Sequence, residues 1–309
     1  HSFIRKSKIS YAKTLMALEE GLKPEAILKW KDPQFIKKVA ISDKKIIERY
    51  KPDCIVIDFR APAVAASLCF DIPVFFVTGS GGLPGGCYLP SVSMPKLLQK
   101  ATAPLTQMLV WNAKKPFFEA IAAAANQLGA RKQLSDLRRL ITYIVPEIPS
   151  YLPNQDKNLK IHYIGPIFWN YFDSYKPDWL TSMKPNGKTV YVTFGGTGYD
   201  AGKLISLADA LLDSGYRVIV STSIIAEPKQ FPVRKNLYVA NYVDGFLACA
   251  LADVIICHGG YGTMMQAIIA GKPVVAIPYN PDQLLHAFRV QELGLGQTVT
   301  NFNIFKFLP

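Results

Sequence analysis

A histidine followed by a glycine-rich turn is the segment whose residue types are best suited to binding an anion. His258 opens the sequence H-G-G-Y-G-T, which ends at Thr263 and directly follows the short apolar run 254–257. Glycines let a backbone approach a ligand closely, and a helix that begins in such a turn presents N–H groups and a positive dipole end to a phosphate. His258 can add a side-chain donor and Thr263 a hydroxyl. The alternative is a tight connection without a ligand, since such turns occur in any α/β sheet, and this segment alone does not choose between the two.

Residues farther along the chain turn this segment into a specific pattern. The pattern is H-G-G-x-G-T-x3-A-x3-G-x-P-x4-P-x3-D-Q, and it continues through Ala267, Gly271, Pro273, Pro278, Asp282 and Gln283. It resembles the donor-binding signature of family 1 glycosyltransferases and of the bacterial macrolide glycosyltransferases, in the UDP-glycosyltransferase superfamily. The resemblance implies an inverting, metal-independent hexosyltransferase that moves a hexose from a nucleotide diphosphate sugar to an acceptor hydroxyl.

The resemblance assigns the donor diphosphate to one group of residues. The group comprises His258, Gly259, Gly260, Gly262, Thr263, Gly195 and Thr197. Gly195 and Thr197 belong to the sequence T-F-G-G-T-G after an apolar run, which resembles the family's interdomain loop near the donor phosphates. For this loop a plain flexible turn is the alternative.

Two further groups resemble the positions that contact the base, the ribose and the sugar. Tyr242 and Val243 resemble the segment whose backbone meets the nucleotide base, although a large aromatic residue after a strand also packs readily in a core. Gln266 stands where many plant members have a glutamate for the ribose hydroxyls, so this contact is expected to be weaker or differently made. Asp282 and Gln283 follow a predicted buried strand at the edge where open α/β sheets bind ligands, and their side chains suit sugar hydroxyls. The alternative for them is a surface turn in which Asp282 caps a helix.

One acidic residue in the first half matches a catalytic position of the family. Asp58 ends the apolar run 54–58, and the resemblance gives such an aspartate the task of orienting a catalytic histidine; capping of the next turn is the alternative. The histidine base itself, in a Gly-His loop after the family's first strand, has no counterpart in this sequence. We therefore expect the base to lie outside this chain, together with the last helices of the fold. His162 and His286 are expected to be structural.

The hydrophobic pattern predicts two α/β domains that position these residues. Apolar runs at 54–58 and 74–77 flank a helical pattern at 61–70, which predicts a βαβ unit with a parallel sheet. The same alternation restarts at 189 and continues to 278. We therefore expect the GT-B fold, with two doubly wound, Rossmann-like α/β domains facing a cleft, here without the first strand region and the last helices. The expected bounds are 1–165 for an incomplete acceptor-binding domain, 166–186 for a linker, and 187–309 for an incomplete donor-binding domain.

The composition suits a two-domain protein without a structural metal. The 309 residues, 50% of them hydrophobic and 19% charged, can bury a core in each domain. The net charge is +12, but no nucleic-acid-binding motif accompanies it. The basic residues in the early part of the chain are expected to form a solvated helix face. A peripheral membrane contact stays open. Five cysteines without paired spacing and the lack of a signal-peptide core favour a cytoplasmic location. Without zinc spacing or an Asp-x-Asp motif, we expect no metal and no cofactor, and a UDP- or dTDP-linked sugar as co-substrate.

The acceptor and the class of function are less constrained by the sequence. The apolar and aromatic content of segments 79–93 and 111–118 predicts a small, hydrophobic acceptor. A non-catalytic nucleotide-sugar-binding or partner-activating protein on the same fold is the alternative function. A nucleotide-sugar 2-epimerase is disfavoured, because Asp282 and Gln283 suit a sugar contact that an epimerase of this fold would not need.

Overall fold

The described part of the chain forms two compact units. The computed structural model describes residues 31–58, 60–84, 108, 112, 115–130, 136, 139–152, 157–168, 177–185, 187–196 and 200–299. The described residues up to Gly165 belong to the first unit, and those from Pro166 onward belong to the second. The bounds of the domains and of the linker given above stay predictions.

The first unit is a parallel sheet with helices packed against it. Along the chain its elements are helix α1 (Pro33–Tyr50), strand β1 (Ile55–Asp58), helix α2 (Ala61–Ser67), strand β2 (Val74–Val77), helix α3 (residues 115–127), strand β3 (Ile141–Val145) and strand β4 (Lys160–Tyr163). The strands lie in the order β1-β2-β3-β4, and each neighbouring pair is parallel. The βαβ unit predicted from the alternation of apolar runs is therefore confirmed.

An ion pair fixes the start of α2 against α1 in this unit. Arg60, the N-cap of α2, donates from Nε and from one terminal nitrogen to the two carboxylate oxygens of Asp43, at 3.1 and 3.0 Å. Asp43 is among the buried residues of α1, with Ile36, Ala40 and Ile47. Such a two-pronged pair combines charge with fixed geometry, so it sets the direction in which the chain leaves β1.

The second unit is a larger sheet of the same kind. Its elements are helix α4 (Asp178–Ser182), strand β5 (Thr189–Thr193), helix α5 (Ala201–Asp213), strands β6 (Arg217–Ser221) and β7 (Leu237–Ala240), helix α6 (Gly245–Leu251), strand β8 (Val254–Cys257), helix α7 (Tyr261–Ile269), strand β9 (Val274–Ala276), helix α8 (Pro281–Glu292) and strand β10 (Gly296–Thr298). The six strands lie in the order β10-β9-β8-β5-β6-β7, and all neighbours are parallel.

The strand order places a topological switch in the middle of this sheet. From β5 the chain builds outward through β6 to β7, then returns to the other side of β5 with β8 and continues to β10. All five residues of β5 are buried, because helices cover both faces of a doubly wound sheet. Open α/β sheets bind ligands outside the carboxyl ends of the strands at such a switch. In this unit the switch lies between β5 and β8.

Two elements were not predicted. Helix α4 lies within the predicted linker, where Leu180 is fully buried and the Trp179 ring lies 5.3 Å from the Tyr238 ring. This part of the segment therefore packs as a piece of the second unit. Strand β10 has the sequence Gly-Gln-Thr, which has no apolar run to mark it, and it is held by parallel pairing with β9.

Candidate functional site

The imidazole of His258 lies at the switch point, between two glycines. His258 directly follows β8, and Gly195 lies two residues after the end of β5, so neighbouring strands bring the two together. A Cβ at Gly195 would lie 2.9 Å from His258 Cε1, and a Cβ at Gly260 would lie 2.5 Å from His258 Nε2. Such distances are too short for a side chain. The loop after β5 and the turn after β8 therefore need glycine because the imidazole occupies the space between them.

Gly259 is required for a second reason. Its φ is +87°, and a Cβ there would lie 2.6 Å from the carbonyl oxygen of Gln283 in the first turn of α8. Gly262 differs, since a Cβ would meet nothing within 4 Å and its φ is not in the left-handed region. The glycines of this turn, which look equivalent in the sequence, thus do different work: Gly259 and Gly260 make close packing possible, and Gly262 does not.

Helix α7 begins directly in this turn. Gly260 is its N-cap and offers no side-chain acceptor to the N–H groups of the first turn. Thr263 is the third residue of the nine-residue helix, so its hydroxyl is in the first turn, as predicted. The positive end of the helix dipole and the His258 imidazole therefore converge on one edge of the sheet, which is an arrangement suited to an anion.

Burial keeps the His258 side chain neutral at neutral pH. Desolvation lowers the pKa of His258 below its ordinary value, and the Thr193 carbonyl and the Asp282 carboxylate offset this only in part. The Nδ1 atom of His258 is buried and makes no hydrogen bond of ordinary length, although the Thr193 carbonyl is close enough to raise the pKa of the imidazole. An anion bound beside the imidazole would favour its charged form and raise this pKa further.

The residues predicted to meet the base and ribose are Tyr242, Val243 and Gln266, and Gln266 lies against the start of the helix that follows the other two. Tyr242 is 38% exposed, so it does not take the core position that was the alternative, whereas Val243 is buried. Gln266, on α7, points its side-chain amide at Gly245, the first residue of α6, where a Cβ would collide with it. The structure therefore brings Gln266 to the segment 242–245 at the carboxyl end of β7.

The structure separates the roles of Asp282 and Gln283. Helix α8 is capped by Asn280, whose Oδ1 accepts from the Gln283 N–H at 2.9 Å. In return Gln283 Oε1 accepts from the N–H groups of Tyr279 at 2.8 Å and Asn280 at 3.3 Å. The Gln283 side chain is buried and serves this capping box, while the Asp282 side chain is 74% exposed. The helix cap that was the alternative for Asp282 is thus at Asn280, and the sequence signal for it was the N-x-x-Q spacing.

Asp58 is the predicted site residue of the first unit. It is exposed at the carboxyl end of β1, opposite Val77 of β2 in the parallel register. Sequence reasoning missed a buried carboxylate at the same edge: Glu147 follows β3, is 1% exposed, and accepts from the Ser80 N–H at 3.0 Å through Oε1. The orienting role of Asp58 stays a prediction, and Thr197 lies outside the described residues.

The two other histidines of the described ranges differ in their surroundings. His162 is exposed on β4. His286 is buried on α8, with its ring 5.3 Å from the Tyr261 ring and Nε2 3.9 Å from Asp282 Oδ1. The packing of His286 suits the structural role expected for it, and the role of His162 stays a prediction.

The described ranges contain neither a metal-holding cluster nor a membrane-spanning helix. Within those ranges, no three His, Cys, Asp or Glu side chains are grouped so that they could hold a metal ion. In the same part of the chain, no helix combines the length and the apolar character needed to cross a membrane.

Comparison with known proteins gives this geometry a family context. Residues 203–302 match the family model described as "Glycosyltransferase family 28 C-terminal domain". A "PGL/p-HBAD biosynthesis glycosyltransferase" of Mycobacterium tuberculosis (strain ATCC 25177 / H37Ra) is 28% identical over 275 residues. That match covers 84% of this chain and 62% of the relative, so the chain spans less than two thirds of the relative's length.

Solved glycosyltransferase structures share the fold. The glycotransferase of kitacinnamycin has a TM-score of 0.63 at 18% identity, over 97% of this chain and 75% of that one. Os79 from O. sativa, solved in complex with UDP, has a TM-score of 0.61 at 16% identity, over 94% of this chain and 73% of that one. The expected GT-B fold is thereby confirmed. The chain therefore has the GT-B fold, and its second unit is similar to the C-terminal domain of family 28 glycosyltransferases.

Proposed function

We propose that this chain provides the donor site of an inverting glycosyltransferase that moves a hexose from a UDP- or dTDP-linked donor to the hydroxyl of a small, hydrophobic acceptor. The observation that supports the proposal best is the placement of His258 between Gly195 and Gly260, beside the start of α7, at the switch point of the sheet. No cofactor is needed beyond the nucleotide diphosphate sugar. The acceptor class rests on the apolar and aromatic segments 79–93 and 111–118.

The proposed reaction is a single displacement at the anomeric carbon. A histidine base, oriented by Asp58, takes the proton of the acceptor hydroxyl as its oxygen bonds to the anomeric carbon. The bond from that carbon to the diphosphate oxygen breaks, and its electron pair leaves with the nucleotide diphosphate. The N–H groups of α7 and the His258 side chain stabilise the charge that develops on the leaving group. Asp282, exposed at the start of α8, accepts hydrogen bonds from the sugar hydroxyls.

Titration calorimetry with UDP and dTDP tests the donor site. We expect the unmodified chain to bind at least one of them, and the double variant His258→Ala, Thr263→Ala to bind roughly tenfold to a hundredfold more weakly, because charge-assisted hydrogen bonds are lost. The variant Val233→Ala is the control, since Val233 is fully exposed in the same unit, in the segment that precedes β7. An unmodified chain that is folded and binds neither nucleotide contradicts the proposal. Binding without transfer in the full-length protein supports the non-catalytic alternative.

The pH dependence of UDP binding provides an independent prediction. The free-state pKa of His258 is depressed, and a bound diphosphate favours the charged imidazolium, so binding raises that pKa. The extra affinity should therefore appear as the pH falls through the bound-state pKa and be complete below the free-state pKa. Because the terminal phosphate of UDP itself takes up a proton near pH ~6, the quantity to measure is the ratio of affinities of the unmodified chain and the His258→Gln variant.

We expect this ratio to rise by about threefold to tenfold between pH 8 and pH 6, because one pKa unit corresponds to a factor of about ten. Calorimetry in buffers of different ionisation enthalpy would also detect the uptake of a proton on binding. A ratio that stays constant over this range would show that the imidazole does not meet the diphosphate.

A further inference from the structure

The turn after β6 contains a strained residue followed by an exposed apolar one. Ser223 has a φ of +51°, a left-handed conformation that residues other than glycine rarely adopt. The next residue, Ile224, is 75% exposed. Strained backbone conformations persist only where surrounding contacts enforce them, and they concentrate at functional sites.

Hydrogen bonds to the end of β7 hold the turn in place. The Ser223 N–H donates to the Asn241 carbonyl at 2.7 Å. The Asn241 side-chain amide donates to the Ser223 carbonyl and to the Thr222 hydroxyl, each at 3.4 Å. Backbone and side chain of Asn241 thus both fix the turn that presents Ile224, and Tyr242 is the residue that follows Asn241.

Ile224 also reaches the loop after β5. Its Cδ1 lies 3.0 Å from the position that a Cβ would take at Gly196. The neighbouring Gly195 packs on the His258 imidazole. Strand β6 lies between β5 and β7, with about 4.8 Å between neighbouring strands. Along the carboxyl edge of the sheet, Ile224 therefore stands between His258 on one side and Tyr242 on the other.

We propose that Ile224 packs against the pyrimidine ring of the bound nucleotide and that the strained turn at Ser223 serves to present it. The inference rests on the proposed function, because it takes the diphosphate to lie at His258 and the base near Tyr242. A nucleoside that joins those two points crosses Ile224. An isoleucine side chain carries no charge and forms no hydrogen bond, so it acts by covering the apolar face of the ring. This contact favours a nucleotide over a bare diphosphate, which has no ring.

The test compares two ligands in three variants. Dissociation constants for UDP are measured by calorimetry, and those for inorganic diphosphate by its competition with UDP. We expect Ile224→Ala to weaken UDP about fivefold to tenfold and to leave diphosphate within about twofold, because only the apolar contact is lost. Ile224→Leu keeps the apolar area and should bind UDP within about twofold of the unmodified chain. Val233→Ala is the control, since Val233 is fully exposed in the segment that precedes β7, at the opposite edge.

Two outcomes would overturn the role of Ile224, and a third would contradict the proposed function. Unaltered UDP affinity in Ile224→Ala would overturn the inference. An equal loss for UDP and diphosphate would overturn it too, since it would show that Ile224 acts through the Gly195–Gly196 loop. An unmodified chain that binds neither UDP nor dTDP would contradict the proposed function itself, and the inference would fall with it.

Discussion

Replacing Gly259 by alanine is expected to weaken UDP binding by more than about 100-fold and to lower the free energy of unfolding of the second unit by about 2–4 kcal/mol. A methyl group there would lie 2.6 Å from the Gln283 carbonyl oxygen, and the φ of +87° is unfavourable for any residue with a side chain. Both effects force the turn after β8 away from α8. The His258 side chain and the start of α7 would then move with it. Calorimetric titration of UDP and chemical unfolding measure the two effects.

Gly262→Ala provides the matched control in the same turn. A Cβ at that position meets nothing within 4 Å, its φ is ordinary, and the N–H group that could face a phosphate is kept. We expect UDP affinity within about threefold of the unmodified chain and unchanged or slightly raised stability, since alanine is the better helix former. Equal losses in both variants would contradict the division of roles between the two glycines.

The second large effect concerns Asp282 and Gln283, which the sequence pattern assigns to the same sugar contact. Asp282→Ala should leave stability within about 0.5 kcal/mol, because the side chain is exposed, but should remove most of the affinity that UDP-glucose gains over UDP. Gln283→Ala should lower the free energy of unfolding by about 1–3 kcal/mol, because the N–H groups of Tyr279 and Asn280 lose their acceptor. The measurements are unfolding curves and paired titrations with UDP and UDP-glucose.

The variant Gln283→Glu tests whether the oxygen acceptor of this side chain is what stabilises the capping box. A carboxylate keeps an oxygen acceptor for the capping box, so this variant should retain more stability than Gln283→Ala. Stability of Gln283→Ala equal to that of the unmodified chain would show that the capping box does not hold α8. Unchanged preference for UDP-glucose in Asp282→Ala would remove this aspartate from the sugar site.

The alternation of strands and helices was predictable because both sheets are parallel and the central strands of the larger sheet are buried. Strands such as β5 and β8 are continuous apolar runs, and the helices between them have their own spacing. Asp244, which caps α6, is also a residue type that marks a helix start. Helix α4 and strand β10 were missed because their stability comes from packing on neighbouring elements, which leaves no periodic signal in a few residues.

The position of the candidate site in the fold was predictable from the sequence, whereas the contacts of each of its residues were not. The ordered pattern around His258 pointed to one edge of one sheet, where the structure indeed places it. The sign of φ at Gly259 and the close approach of His258 to Gly195 depend on contacts between elements far apart in the sequence. Ile224 carries no recognisable motif, because an apolar residue after a strand is ordinary until its exposure and its strained neighbour are known.

The placement of Cys257 makes this thiol a chemical reporter of the donor edge. Cys257 is the last residue of β8, directly before His258, and its Sγ lies 3.8 Å from Met264 Sδ. Burial raises the pKa of Cys257 to about 12, so in the closed state the thiol is protonated and shielded from alkylating reagents. Reaction can then occur only when the strand and the turn after it open transiently, and the alkylation rate counts those openings. A nucleotide that contacts both the turn and α7 would make such openings rarer and slow the alkylation. The alkylation rate of Cys257 therefore measures how strongly nucleotide binding stabilises this edge of the sheet.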